Sequence, residues 1–191
     1  YSTPKKIVRT FKPDETIRLS PEDSEKNVSL KVVLLDGHSS AQTGLMITDS
    51  DGKKSFFVGD AVSGRNSLKR YWIQFMLDEH KAKETTAKLS SVQADYYIPS
   101  HGDYVTEIEG LAELNLLAML ETEQLILKIL KTPMCFDDIL TAVLNENGIK
   151  MNLTRYAFMS GPIRSYITSL YEDNKIEPVT IDNKLCWKVV D

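Results

Sequence analysis

The sequence predicts an α/β chain in two parts, and three observations carry that reading. Runs rich in β-branched and apolar residues dominate the chain up to Val58. From Leu68 the apolar residues recur at helical spacing. After about Leu120 come further helical segments that end in two short alternating runs. The boundary is placed between residues 120 and 121, so the parts are 1–120 and 121–191. With 191 residues, 42% of them hydrophobic, the chain can bury one large core or one core with a smaller companion.

Residues 7–11 and 28–35 read as two strands joined by a polar excursion containing Pro13 and Pro21. After the Asp36-Gly37-His38-Ser39 turn, residues 44–48 and 55–58 alternate as strands. Asp51-Gly52 lies between them and predicts a hairpin. Residues 68–91 read as helical, with Leu68, Trp72, Phe75 and Met76 as the apolar positions. Residues 94–98 read as a short buried strand stopped by Pro99-Ser100-His101-Gly102. Helices are expected over 106–120, 123–130, 136–145 and 153–172, the last interrupted at Gly161-Pro162. Residues 176–181 and 185–189 read as a hairpin around Asp182-Asn183, with Pro178 marking an edge strand. Three helices followed by a β wing is the winged-helix order, so a small winged-helix domain is expected over 121–191.

Charge narrows the partners. The chain carries 23 Lys and Arg against 27 Asp and Glu, a net charge of −4, and no polybasic run. Nucleic-acid binding through counterion release is therefore disfavoured. The two cysteines, Cys135 and Cys186, could pair, but two thiols in a chain of this size read better as buried and reduced, which implies a cytoplasmic protein. No apolar stretch reaches the roughly 18 residues of a membrane span, and no signal-peptide core stands at the N-terminus. The first residue is Tyr1 and not Met, which fits a piece of something longer.

The chain has three histidines: His38, His80 and His101. His38 and His101 each stand beside a glycine at the end of an expected strand, and Asp60 in Val58-Gly59-Asp60-Ala61 shares that context. Strand ends place side chains at the rim of a sheet, where several can converge on one ion, and glycine lets the backbone bend close to it. Singly, each has a plain alternative: a hydrogen-bonded turn histidine, or an aspartate capping a helix. Together, in the order His, Asp, His, they favour a metal site. His80 follows Asp78-Glu79 in a charged helix and reads as a solvent-exposed residue.

Gly37-His38-Ser39 followed by a hairpin, then Gly59-Asp60-Ala61-Val62, then Ile98-Pro99-Ser100-His101-Gly102, resembles the last three signature motifs of the metallo-β-lactamase superfamily. The likeness covers roughly residues 1–110 and is greatest to the glyoxalase-II-like hydrolases. It implies that residues 1–120 form the C-terminal half of an αβ/βα sandwich, and that two divalent cations, zinc or else iron or manganese, are the cofactors. By the same resemblance, His38 completes the ligands of the first metal, Asp60 bridges the two, and His101 binds the second. A carboxylate suits a bridge because its oxygens reach two cations about 3.5–4 Å apart. Imidazole nitrogens suit zinc at about 2.0–2.1 Å. A metal-bridging hydroxide would then be the nucleophile.

Two features depart from the family pattern. Asp36 stands where the family usually has proline before Gly-His, and the motif His-x-His-x-Asp-His is absent from these residues. Its absence implies a partial site that needs a missing N-terminal half or another chain. Family members that open β-lactams typically carry Cys where this chain has Asp60, so an ester, thioester or phosphodiester is the expected small-molecule substrate.

The tail resembles the winged-helix extension of some family members, including a branch that cleaves RNA. Arg155 and Arg164, interleaved with Tyr156, Phe158, Tyr166 and Tyr171, are the candidate contacts to substrate or nucleic acid. The same aromatic residues also read as a stripe packed in a core or homodimer interface. Two functions are thus expected to compete. One is the C-terminal part of a metal-dependent hydrolase, inactive alone; the other is a non-catalytic winged-helix module that binds nucleic acid or protein. Half a sandwich would also leave apolar sheet surface exposed.

Overall fold

The structure, a computed structural model, describes residues 10–21 and 27–190. Its first part is a five-stranded sheet in the order β1-β2-β3-β4-β5, formed by Thr16–Arg18, Ser29–Leu34, Thr43–Thr48, Lys54–Gly59 and Tyr96–Pro99. All neighbouring pairs are antiparallel except β4 and β5, which are parallel. Asp51-Gly52 makes the β3–β4 turn, with Gly52 at φ 83°, as the hairpin signal predicts. Because β3 runs against both its neighbours, β2, β4 and β5 all point the same way. Their C-terminal ends share one rim of the sheet.

The two faces of this sheet differ in cover. Met46, Phe56 and Tyr97 are register partners, and all three are buried against Leu89, Ile108 and Leu111. On the opposite face Val32, Leu45, Phe57 and Ile98 line up in register. There Leu45 is 38% and Phe57 41% exposed, and Leu34 on the same face is 43% exposed. One side of the sheet is a core, and the other, although Val32 on it is buried at 3%, leaves Leu34, Leu45 and Phe57 exposed.

Helices α1 (Arg65–Arg70) and α2 (Glu79–Leu89) replace the single helical region expected over 68–91. Asp78 caps α2 by accepting from the Lys81 N–H at 3.0 Å, so residues 71–78 are free to run as an irregular segment. The helices expected at 106–120 and 123–130 are one helix, α3 (Glu109–Ile129), and the boundary expected at 120/121 falls inside it. Thr122 and Glu123, polar residues just past that boundary, are buried within α3. Thr122 donates to the Ala118 carbonyl at 2.8 Å, and Glu123 pairs with Lys83 of α2 at 2.8 Å. The strand expected at 7–11 lies outside the described residues as far as residue 9, and Thr10 and Phe11 are not in a strand. β1 instead occupies the stretch expected to be a loop.

Residues beyond α3 form β6 (Met134–Cys135), α4 (Phe136–Glu146), α5 (Leu153–Glu172), β7 (Ile176–Ile181) and β8 (Lys184–Val189). The strands pair in the order β6-β8-β7, which leaves Pro178 on an edge as expected. Helix α5 is continuous through Gly161-Pro162. Proline there removes one backbone donor, but the residue is buried and the tertiary packing of α5 outweighs that loss. The core of Ile126, Ile139, Leu140, Ile163, Tyr166 and Leu170 continues into Ile73, Met76 and Ala82, so the two parts share one apolar interior.

Two further expectations are corrected. Cys135 and Cys186 are not free thiols: β6 and β8 place them as direct cross-strand partners, and they are joined as a disulfide. Fifty-one positions of sequence separation hide that register. The inference of a reducing compartment, which rested on free thiols, loses its support. His80 is not simply solvated: Nε2 lies 3.1 Å from Asp173 and Nδ1 3.4 Å from Glu172, tying α2 to the end of α5. No helix among the described residues is long and apolar enough to cross a membrane.

Candidate metal centre

His38 follows β2, Asp60 directly follows β4, and His101 follows β5, so the common direction of those strands brings the three to one rim. Carboxyl ends of strands are where open α/β sheets gather ligands. A register shift between Phe57 and Gly59, with Gly59 at φ 59°, turns Asp60 out of the ladder. Ser100 N–H donates to the Gly59 carbonyl at 2.8 Å and binds the ends of β4 and β5 together.

The three side chains meet at Asp60. Its Oδ2 lies 3.9 Å from His38 Nε2 and its Oδ1 3.5 Å from His101 Nε2. His38 Nδ1 is 2.9 Å from the Phe75 carbonyl, which can only accept. Nδ1 is therefore the donor in that contact, and Nε2 is the ring nitrogen turned toward Asp60. His101 is the most exposed of the three at 73%, against 29% for His38 and 32% for Asp60.

These residues line a cavity of about 770 Å³, a volume suited to a small-molecule ligand. Arg155 and Phe158 of α5 form one wall, and Arg70 and Tyr71 form another, with the Arg70 guanidinium 5.1 Å from the Tyr71 ring. The α5 N-terminus is held by the Asn152 side chain, which accepts from the Arg155 N–H at 2.9 Å. The Arg155 guanidinium donates to the Lys150 carbonyl, which steadies it. Arg164 is elsewhere: its guanidinium stacks 3.6 Å above the Phe136 ring and does not line the cavity. Of the two arginines picked out from the sequence, only Arg155 reaches the His-Asp-His site. Sequence reasoning singled out Phe158 beside Arg155 but missed Arg70 and Tyr71. Arg70-Tyr71 was legible only as a basic-aromatic pair, with nothing local to place it at the rim.

No protein-family model matches the sequence, and no curated protein does. Among solved structures, a metallo-beta-lactamase family protein from Thermus thermophilus superposes on 98% of this chain, with a TM-score of 0.74 at 11% identity. A beta-lactamase domain protein from Burkholderia ambifaria superposes on 95%, with a TM-score of 0.70 at 14% identity. The chain has part of the metallo-β-lactamase fold. It covers 56% and 52% of those two proteins, about half the length of each.

At this rim of the fold the donors fit a cation in pairs. Donor atoms about 2.0–2.1 Å from one tetrahedral ion stand about 3.3 Å apart. The two Nε2-to-oxygen separations, 3.5 and 3.9 Å, are within tenths of an ångström of that spacing. Each pair uses a different oxygen of Asp60, the arrangement a bridging carboxylate adopts. The set is not closed: among the described residues no three His, Cys, Asp or Glu side chains surround a common point.

Proposed function

We propose that this chain is the C-terminal part of a metal-dependent hydrolase of the glyoxalase-II-like kind, acting on an ester, thioester or phosphodiester. One observation carries the reading: Asp60 offers separate oxygens to His38 and His101 on the floor of a ligand-sized cavity. His38 would serve one divalent cation, His101 a second and Asp60 both, with zinc the best match to imidazole and carboxylate donors. When bound, such cations lower the pKa of water toward neutrality and polarise the group under attack. The chain's own residues do the rest. The Phe75 carbonyl fixes the His38 tautomer, Arg155 and Arg70 offer guanidinium groups to an anionic part of the substrate, and Tyr71 and Phe158 cover an apolar part.

Residues 121–191 fit the winged-helix reading in their order of helices and terminal hairpin, and in this proposal they wall the substrate cavity. The bare sheet face of Leu34, Leu45 and Phe57 fits a missing half, whether another segment of the same protein or another chain. Solved proteins that share the fold are nearly twice as long.

The test is Asp60→Ala and His101→Ala in the longer protein, assayed on 4-nitrophenyl acetate, an S-acyl thioester and bis(4-nitrophenyl) phosphate, with bound metal measured by atomic emission. Both variants should lose hydrolysis and bound metal. Full activity and full metal content in both would refute the assignment.

A further inference from the structure

Asp36, two residues before His38, is held in a segment with little freedom. Its carbonyl accepts from the Thr85 hydroxyl at 2.7 Å, and the Gly37 carbonyl accepts from the N–H groups of Leu77 and Asp78, both at 3.0 Å. A Cβ at Gly37, whose φ is 129°, would lie 2.4 Å from the Ala82 backbone. On the other side the Leu35 N–H donates to the Gln42 carbonyl at 2.8 Å, so the backbone is fixed before and after the Asp36 side chain. Yet the Oδ1 of that side chain is buried and meets no hydrogen-bond donor among the described residues. A carboxylate oxygen taken from water without a donor is costly.

A small void lies against Asp36, and His38, Asp60, Gln74 and Thr85 are its other polar walls. None of them supplies the missing donor. The Thr85 proton goes to the Asp36 carbonyl, and the His38 Nδ1 proton goes to Phe75. The Asp60 carboxylate only accepts, and the Gln74 amide makes no hydrogen bond to Asp36 Oδ1. The void measures about 10 Å³, the space of one water molecule, and has the two to four polar partners a buried water requires. A cation suits it less well, since among the described residues no three ligating side chains close around a point.

We propose that Asp36 is a positioning residue for Asp60, acting through a single water molecule in this void. The water donates one hydrogen to Asp36 Oδ1 and the other to the Asp60 carboxylate. It thereby holds the plane of that carboxylate so that one oxygen faces His38 and the other His101. Where the inference concerns metal it rests on the hydrolase reading; the water and the carboxylate geometry do not need that reading.

Crystals of the chain at a resolution that shows ordered water test it directly. The expected result is a peak within hydrogen-bonding distance of both carboxylates, with the Asp60 oxygens divided between the two histidines. In Asp36→Ala the Asp60 carboxylate should rotate out of that division, and Asp36→Asn, which keeps an acceptor oxygen, should restore it. Zinc titrated against a chromogenic chelator should bind Asp36→Ala about 10- to 100-fold more weakly than wild type, with Asp36→Asn within a few fold of wild type. A wild-type void without a water peak overturns the proposal, and so does an Asp60 unmoved in Asp36→Ala. Should Asp36→Ala not fold, the wild-type peak decides alone. If the wild-type chain crystallises with the water but binds no zinc, it is the hydrolase reading that loses support.

Discussion

Gly64 and Gly102 pack backbone against backbone: a Cβ on Gly64 would lie 2.8 Å from the Cα of Gly102, and one on Gly102 would lie 2.8 Å from the Cα of Gly64. The same contact carries the Gly64 N–H to the His101 carbonyl at 2.7 Å, so the loop after Asp60 sets the loop that bears His101. Gly64→Ala should destabilise the chain by about 1–3 kcal/mol through overpacking. Gly102→Ala should cost at least as much, since its φ of 131° is strained for any side chain. Urea unfolding measures both. Wild-type stability in either variant would show that the two loops do not meet.

Lys83 sits between two buried carboxylates, 2.8 Å from Glu79 and 2.8 Å from Glu123, where α2 meets α3. Burial would lower the Lys83 pKa, but the two carboxylates outweigh it and raise it. Lys83→Met should therefore leave Glu79 without its ion-pair partner and Glu123 with only the more distant Lys175, 3.9 Å away, and cost about 3–5 kcal/mol. A loss below about 1 kcal/mol in thermal or urea unfolding would contradict the pairing.

Glu79 gives that cluster a pH signature. Burial pushes its carboxyl above the ordinary value of 4.5, with Lys83 opposing in part. The folded chain then holds a proton that the unfolded chain has released, so this group's contribution to stability is full below about pH 4.5 and is lost as pH rises through the folded pKa. In Glu79→Gln that falling component should vanish from a plot of unfolding free energy against pH. An unchanged profile would exclude Glu79 as its source.

The same cluster shows what the sequence left unreadable. Glu79, Lys83 and Glu123 look like ordinary surface charges until α2 is laid on α3, and a change of composition after Leu120 suggested a boundary inside what is one helix. Cys135 and Cys186 looked unpaired for the same reason: only the β6–β8 register puts them opposite. The Asp51-Gly52 hairpin was legible because its signal is local. His38, Asp60 and His101 were legible as a set because each glycine-flanked strand end is local too, and three similar strand ends in one chain already suggest a shared rim. Arg70 and Tyr71 had no such marker, since the cavity they line exists only once α5 has packed beside the sheet.

Arg155 and Arg164 are nine residues apart on α5 but should fail differently. Arg155 lines the cavity, so Arg155→Ala should weaken binding of an anionic ligand such as 1-naphthyl phosphate, followed by fluorescence, by about tenfold or more with little change in melting temperature. Arg164 covers the Phe136 ring, so Arg164→Ala should leave that binding alone and cost about 0.5–1 kcal/mol of stability. The reverse pattern would place the ligand on the other face of α5.

The bare face of the sheet makes the last prediction. Leu34, Leu45 and Phe57 stand exposed beside the partly covered Leu30, Ile47 and Ile98 and the buried Val32, an apolar face on the middle strands that is open in part. Hydrocarbon leaving water gains about 25 cal/mol per Å², so this surface should be buried whenever a second apolar surface is at hand. The chain should therefore self-associate at rising concentration in sedimentation velocity, and Leu45→Lys with Phe57→Lys should return it to a monomer without loss of secondary structure. Both side chains point away from the core of Met46 and Phe56, which is why the double substitution should spare the fold. A wild-type chain that stays monomeric at every concentration would mean the face needs no partner, and the case for a missing layer would fall with it.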